Sequence, residues 1–281
     1  MRILLVGANG MLGQDLRAAL AHHDVVAVGS RELDVRDAAA CLAAADGVDA
    51  IVNASAYTAV DQAESDEDAA YAVNADGPAN LAAAAAANGA VLVHVSTDYV
   101  FRGDATEPYA EDTPVDPVSA YGRTKAAGEA RALAANADTI VVRTAWLYGP
   151  GGGSFASTMV RLAGERETLT VVDDQRGQPT TTHDLASRIA ALLDGGVRSG
   201  IFHGTSSGET TWFGFARAIF EELGLDPERV QPTDSTAFAR PAPRPAYSVL
   251  GHDAWTRAGI EPIGDWRAAL AAAVARGELA A

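Results

Sequence analysis

Three glycines spaced three apart, directly after an apolar run, constrain this chain more than any other feature. Arg2 to Val6 reads as a buried strand, Gly7-Ala8-Asn9-Gly10-Met11-Leu12-Gly13 follows, and an Ala-rich segment of helical length, Met11 to Ala21, continues from there. In such a strand-turn-helix unit the first glycine permits a tight turn. The second lets backbone N–H groups approach an anion, and the third lets the helix pack close on the strand. Unpaired N–H groups and the dipole at the helix N-terminus then favour a pyrophosphate. Gly7, Asn9, Gly10, Met11, Leu12 and Gly13 therefore predict a dinucleotide cradle.

The alternation continues. Strands are expected at Val25 to Val28, Ala50 to Asn53, Val91 to Ser96 and Thr139 to Thr144, with helices at Asp37 to Ala45, Ser65 to Asn88 and Ala120 to Ala135. These are βαβ units, and right-handed crossovers make them an α/β fold of Rossmann type, a doubly wound parallel sheet. Pro78 lies inside the third helical stretch and predicts a kink or break. After Trp146 come a Gly-rich loop (Pro150 to Gly153), a helix near Phe155 to Ala163 and a turn-rich stretch, Asp173 to Thr182. A helix at Asp184 to Leu193 precedes a strand, Gly200 to His203, able to rejoin the sheet. Helices near Thr211 to Leu223 and Asp265 to Arg276 flank the Pro-rich segment Arg240 to Pro245. The expected division is a cofactor-binding domain over 1–150, rejoined by about 184–204, and a smaller, mainly substrate-binding C-terminal lobe over 151–281.

Composition narrows the chemistry. With 37 Asp and Glu against 21 Lys and Arg, the net charge is −16, which argues against nucleic acid or an anionic membrane as partner. No apolar run reaches the roughly 18 residues of a membrane span. Ile3 to Ala8 is too short for a signal-peptide core and meets glycines where a cleavage site would stand. Cys41 is the single cysteine. It excludes an internal disulfide, a thiolate zinc site and an iron–sulfur cluster, and it fits a reducing compartment, the cytoplasm being the simplest address. The six histidines lack metal-ligand spacing, so no metal site is read from the residues. No G-x-S-x-G, H-E-x-x-H or G-K-[ST] pattern offers a rival chemistry.

Of the 21 cationic residues 20 are Arg and one, Lys125, is Lys. That lysine stands four after Tyr121 on an expected helix, so the two side chains share a face. With seven tyrosines and one lysine, chance gives this spacing in about 7 of 280 placements. A free phenol, at a pKa of about 10, is too weak an acid near neutrality. An adjacent ammonium, together with an oxidised nicotinamide, is expected to lower it, making Tyr121 a proton donor to a ketone that receives hydride. Lys125 can also bond the nicotinamide ribose, which the planar Arg fork would not reproduce.

A third group should polarise the ketone from the carboxyl end of a central strand. Thr97, in Val95-Ser96-Thr97-Asp98, is placed there to donate its hydroxyl as negative charge develops, with Ser96 as runner-up. At the end of the second strand, Gly29-Ser30-Arg31-Glu32, Ser30 and Arg31 favour the 2′-phosphate of NADPH, while Glu32 suits either cofactor and keeps NADH open. Asp34-Val35 is similar to an adenine-edge pair, and Asp34 is equally placed to cap the next helix.

These residues resemble the extended short-chain dehydrogenase/reductase superfamily, in its dTDP-4-dehydrorhamnose reductase branch. The general blocks are Gly7 to Gly13 and Tyr121-Gly122-Arg123-Thr124-Lys125. The branch-specific blocks are Asn53 to Asp61 with Ala63-Glu64, Ser96 to Phe101, Arg143 to Gly149, Asp174 to Thr180 and Arg244 to Ser248. The resemblance implies reduction of the C4 ketone of a dTDP-linked 6-deoxy sugar, yielding dTDP-L-rhamnose with hydride from NAD(P)H. It implies Thr97, Tyr121 and Lys125 as catalytic, cofactor contacts from Ala54, Ser55 and Ala56, and substrate contacts from Tyr99, Trp146 and the diphosphate-facing Arg244, with Arg240 a weaker candidate. It also associates magnesium with carboxylates at a homodimer contact, near Asp15 and Asp184, which are Asp here instead of the longer Glu. Two alternatives share the motifs: another nucleotide-sugar 4-ketoreductase or epimerase, and a non-catalytic regulatory subunit like that of methionine adenosyltransferase.

Overall fold

The computed structural model describes residues 1–279. Six parallel strands form the central sheet: β1 (Arg2–Val6), β2 (Asp24–Val28), β3 (Ala50–Asn53), β4 (Val91–Thr97), β5 (Thr139–Thr144) and β6 (Gly200–His203). Their spatial order is β6-β5-β4-β3-β1-β2. The expected Rossmann-type sheet is therefore present, and the strand at Gly200–His203 joins it beside β5. The order reverses between β1 and β3, and open α/β sheets bind ligands beyond the carboxyl ends of their strands at such a point.

Strands covered on both faces read as near-continuous apolar runs, and β3 and β5 are buried along their whole length, with Ala50 to Val52 and Ile140 to Val142 as their apolar centres. Successive side chains of β1 alternate between the faces. Ile3 and Leu5 join Leu12 and Leu16 of α1 (Met11–Ala19) and Leu185 and Ile189 of a later helix, Thr182–Asp194. Leu4 and Val6 join Cys41 of α2 (Ala38–Ala44) and Leu81 and Ala85 of α3 (Gly77–Ala87). Asp37 caps α2 by accepting from the N–H groups of Ala39 and Ala40 at 2.9 and 3.0 Å, so the cap is Asp37 and not Asp34.

The helix expected over Ser65 to Asn88 is interrupted before its proline. Glu67–Tyr71 is helical, Ala72–Asp76 widens into a π turn, and Pro78 sits in the first turn of α3. Pro78 has no N–H to give the Asn74 carbonyl, and the wider turn accommodates that loss. The carbonyl lies against Gly128 of α4 (Ala120–Ala135), where a Cβ would stand 2.0 Å away. The Asn74 side chain holds the Tyr57 backbone at 2.8 and 3.1 Å and the Thr124 hydroxyl at 3.1 Å, fixing the loop after β3 to α4.

Beyond β5, α5 (Phe155–Glu165), α6 (Thr182–Asp194), α7 (Trp212–Glu222) and α8 (Trp266–Ala275) follow. α6 packs on the sheet. α5, α7 and α8 build a separate apolar cluster around Phe215, Ile219, Phe220 and Leu270. A two-stranded pairing of Leu169–Val172 with Val230–Thr233 flanks it, which the sequence pattern did not announce. Among the described residues, no helix is long and apolar enough to cross a membrane.

Candidate active site

A cleft of about 1320 Å³ opens along the carboxyl edge of the sheet. At its floor Gly7 has φ +82, and a Cβ there would stand 2.7 Å from the Ala54 backbone. A Cβ on Gly13 would stand 2.2 Å from the Gly7 carbonyl. Gly7 is thus required by conformation and contact, and Gly13 by contact alone. Gly10 caps α1 with no side chain occupying its first N–H groups, so they face the cleft as an anion site. These features fit a dinucleotide. Gly7, Asn9, Gly10, Met11, Leu12, Gly13, Arg31, Asp34, Val35, Ala54, Ser55 and Ala56 all line the cleft. Asn53 orients Ser55, accepting from its hydroxyl at 2.6 Å and its N–H at 3.0 Å.

The groups near the second strand differ in freedom. Glu32 accepts from the Gly29 N–H at 2.9 Å. Asp34 takes the Arg36 guanidinium at 2.8 and 2.7 Å, and these hydrogen bonds hold its carboxyl at about 2. Arg31, in contrast, forms no ion pair among the described residues and lines the cleft.

Thr97, Tyr99, Tyr121, Lys125 and Trp146 line the same cleft. Ser119 starts α4 by accepting from the Gly122 N–H at 3.1 Å. A Cβ on Gly122 would lie 2.2 Å from the Tyr99 carbonyl, so the first turn of α4 sits directly on that loop. The Tyr99 and Tyr121 rings meet edge to face, 5.6 Å apart. Thr97 donates its hydroxyl hydrogen to Asp98 at 2.9 Å and accepts from the Tyr99 N–H at 3.2 Å.

Burial sets the starting protonation of both members of the expected Tyr121–Lys125 pair. Burial, and next the charge of Asp98, push Tyr121 up to about 12, against a hydrogen bond with Thr97 that lowers it. The Lys125 ammonium donates to the Val95 carbonyl at 2.7 Å. Burial pulls it down to about 8, with the Glu129 carboxylate opposing. The phenol therefore remains a firmly protonated acid until positive charge enters the cleft.

Several buried groups were invisible to spacing. Asp98 is 3% exposed, and burial pushes its carboxyl up to about 6. Glu129 continues the Tyr121, Lys125 face by one more step of four and is buried with Arg143. Arg143 grips it through Nη2 at 2.8 Å and Nε at 3.0 Å, and Ser96 donates to it at 2.5 Å. Ser96 is thereby committed elsewhere, which leaves Thr97 as the candidate hydroxyl at the end of β4.

Arg244 does not line the cleft. It pairs with Asp61 at 2.9 Å and donates to the Ala242 carbonyl at 3.1 Å, and its charge acts on Tyr99. Arg240 reaches Asp61 at 3.4 Å. Asp15 and Asp184 are not among the described residues whose ligand atoms converge on a candidate metal position. Asp184 accepts from the Thr181 hydroxyl at 2.7 Å, and Asp15 keeps a buried oxygen without a partner. Among the described residues the one group of converging ligand types is His22, His23 and Asp194, where both imidazoles already bond the carboxylate at 3.1 and 2.8 Å.

The family model of the RmlD substrate binding domain matches residues 1–278. The chain belongs to the RmlD family. This RmlD-family chain is 51% identical over 278 residues to the dTDP-4-dehydrorhamnose reductase of Streptomyces griseus, covering 96% of this chain and 91% of that protein. It is also 51% identical over 277 residues to a Streptomyces antibioticus protein, a probable dTDP-4,6-dihydroxy-2-methyloxan-3-one 4-ketoreductase, covering 96% and 93%. The dTDP-4-dehydrorhamnose reductase of Bacillus anthracis, solved in complex with NADP, aligns with TM-score 0.94 and 36% identity over 98% of this chain and 99% of that one. The match spans sheet and lobe together, so the RmlD assignment covers the whole cleft. The chain is an oxidoreductase of Rossmann fold.

Proposed function

We propose that the protein reduces the C4 ketone of dTDP-4-dehydro-L-rhamnose to dTDP-L-rhamnose, using NADPH. The observation that carries this reading is the convergence of Thr97, Tyr121 and Lys125 with the glycine cradle in one cleft. When bound, the reduced nicotinamide supplies the hydride. The cradle and the N-terminus of α1 hold the pyrophosphate, and Arg31 meets the 2′-phosphate. Tyr121 gives its proton to the carbonyl oxygen. Lys125 bonds the nicotinamide ribose and adds the positive charge that stabilises the phenolate left behind. Thr97 donates to the oxygen as charge develops on it, which requires its hydrogen to leave Asp98. Arg244, prepositioned by Asp61, meets the diphosphate.

Consumption of NADPH with dTDP-4-dehydro-L-rhamnose, generated in situ from dTDP-glucose, tests the reading, and a folded protein without turnover overturns it. The Streptomyces antibioticus relative favours a second reading, in which the ketone is carried by another dTDP-linked 6-deoxy sugar. Parallel assays with such sugars decide between them by the ratio of kcat/KM. Arg31→Ala should raise the KM for NADPH about tenfold or more and leave that for NADH unchanged, since a charge-assisted bond to phosphate contributes about 1.5–3 kcal/mol. Equal loss with both cofactors would remove Arg31 from the 2′ position. Arg244→Ala should raise the KM for the dTDP-sugar by a similar factor with kcat little changed, as initial-rate kinetics will report.

A further inference from the structure

We propose that Trp212 and Gly177 are positioning residues that act through Trp146. Together they hold its indole, in a left-handed backbone conformation, as one wall of the sugar end of the cleft. The proposal rests on the reductase reading and extends it to residues outside the reactive trio.

Among the described residues Trp146 is the one non-glycine with positive φ, at +47. A bulky side chain stays in that region only where its surroundings over-determine it, and such residues cluster at ligand sites. Here three neighbours do so. The Trp146 ring stacks on Trp212, with centroids 3.5 Å apart and planes 8° apart. The edge of the same indole lies over Gly177, where a Cβ would stand 2.5 Å from Cε2 and 2.8 Å from Nε1. The Trp146 carbonyl accepts from the Thr180 N–H at 3.3 Å.

Trp212 is fixed in turn. Thr211 caps α7, accepting from the Gly214 N–H at 3.0 Å. The Trp212 Nε1–H donates to Gln175 at 3.1 Å, and Gln175 donates to Ser235 at 2.8 Å. The segment Gln175 to Gly177 thus serves both indoles, one by a hydrogen bond and the other by the absence of a side chain. Phe155 closes the wall, 4.5 Å from Trp212.

The wall is close to the chemistry. Trp146 follows two residues after Thr144, whose Cα partner on the neighbouring strand is Thr97. Trp146, Trp212 and Phe155 all line the cleft. A rigid flat apolar surface there matches the C–H face and C6 methyl of a deoxy sugar, presenting its ketone to Thr97 and Tyr121.

The test uses Trp212→Leu and Gly177→Ala in the full chain. Gly177 lies outside the left-handed region, so alanine strains no backbone and displaces only the indole. Both variants should lower kcat/KM for the dTDP-sugar at least tenfold, which is 1.4 kcal/mol, with the KM for NADPH unchanged. The exciton couplet of the stacked indoles in circular dichroism should vanish in Trp212→Leu and shift in Gly177→Ala, and Trp212→Phe should recover most activity. A lowered Tm with unchanged kcat/KM overturns the proposal, as does a couplet that survives Trp212→Leu. Should the wild type not turn over the sugar, the reductase reading falls separately. The same variants are then compared by calorimetry with the dTDP-sugar, where unchanged affinity overturns the positioning role.

Discussion

Lys125→Met should lower kcat by about 10²–10⁴-fold, the range lost when a positioned proton-transfer system is disabled. Lys125→Arg should not restore it. The ammonium fits a buried site against the Val95 carbonyl at 2.7 Å, where a planar fork needs more donors satisfied than the site offers. Single-turnover rates with saturating NADPH measure the effect, and a variant within threefold of wild type, roughly 0.65 kcal/mol, would contradict the role. The pH profile follows from the same group. Burial pulls its pKa from 10.5 to about 8, so the charged form declines above pH 8 and kcat/KM should fall on that side. Stability responds in the opposite sense. Between about 8 and 10.5 the unfolded chain binds more protons at this site than the folded one, so the contribution of Lys125 to stability improves as pH rises through that window.

Glu129→Ala should be the most damaging substitution for stability. The pair it forms with Arg143 has side-chain exposures of 4% and 3%, and removing one partner leaves the other as an uncompensated buried charge, at a cost of about 3–5 kcal/mol. Ser96 loses its acceptor as well. At about 2–4 °C per kcal/mol for chains approaching this size, Tm should fall on the order of 10 °C by calorimetry. Glu129→Gln, which keeps an acceptor, should cost less. A loss for Glu129→Ala below about 1 kcal/mol, the usual worth of an exposed ion pair, would show that water reaches the pair.

What was legible in the sequence was local. The glycine turn announces itself because Gly7 and Gly13 act within one strand-turn-helix unit, and Tyr121 with Lys125 because helical geometry converts a spacing of four into a shared face. The six-strand sheet followed from alternating apolar runs, including β6, short and far along the chain. The remainder depends on contacts between distant segments. Arg143 meets Glu129 across 14 residues, and the Asp61 carboxylate takes the Ala242 N–H across 181. No periodicity encodes either. The setting of the Tyr121–Lys125 pair was hidden for a related reason: the spacing was visible, but the depth of burial and the neighbouring Asp98 carboxylate were not.

The placement of β6 beside β5 bears on how the protein is made. A ribosome that has delivered the first half of the chain has built five strands, and β5 then ends the sheet with an unprotected row of N–H and C=O groups. The apolar surface that α6 will cover is also bare at that moment. Completion waits for residue 203, so the nucleotide-facing half matures only after much of the lobe has been translated. A gene fragment ending near residue 150 is expected to yield insoluble product.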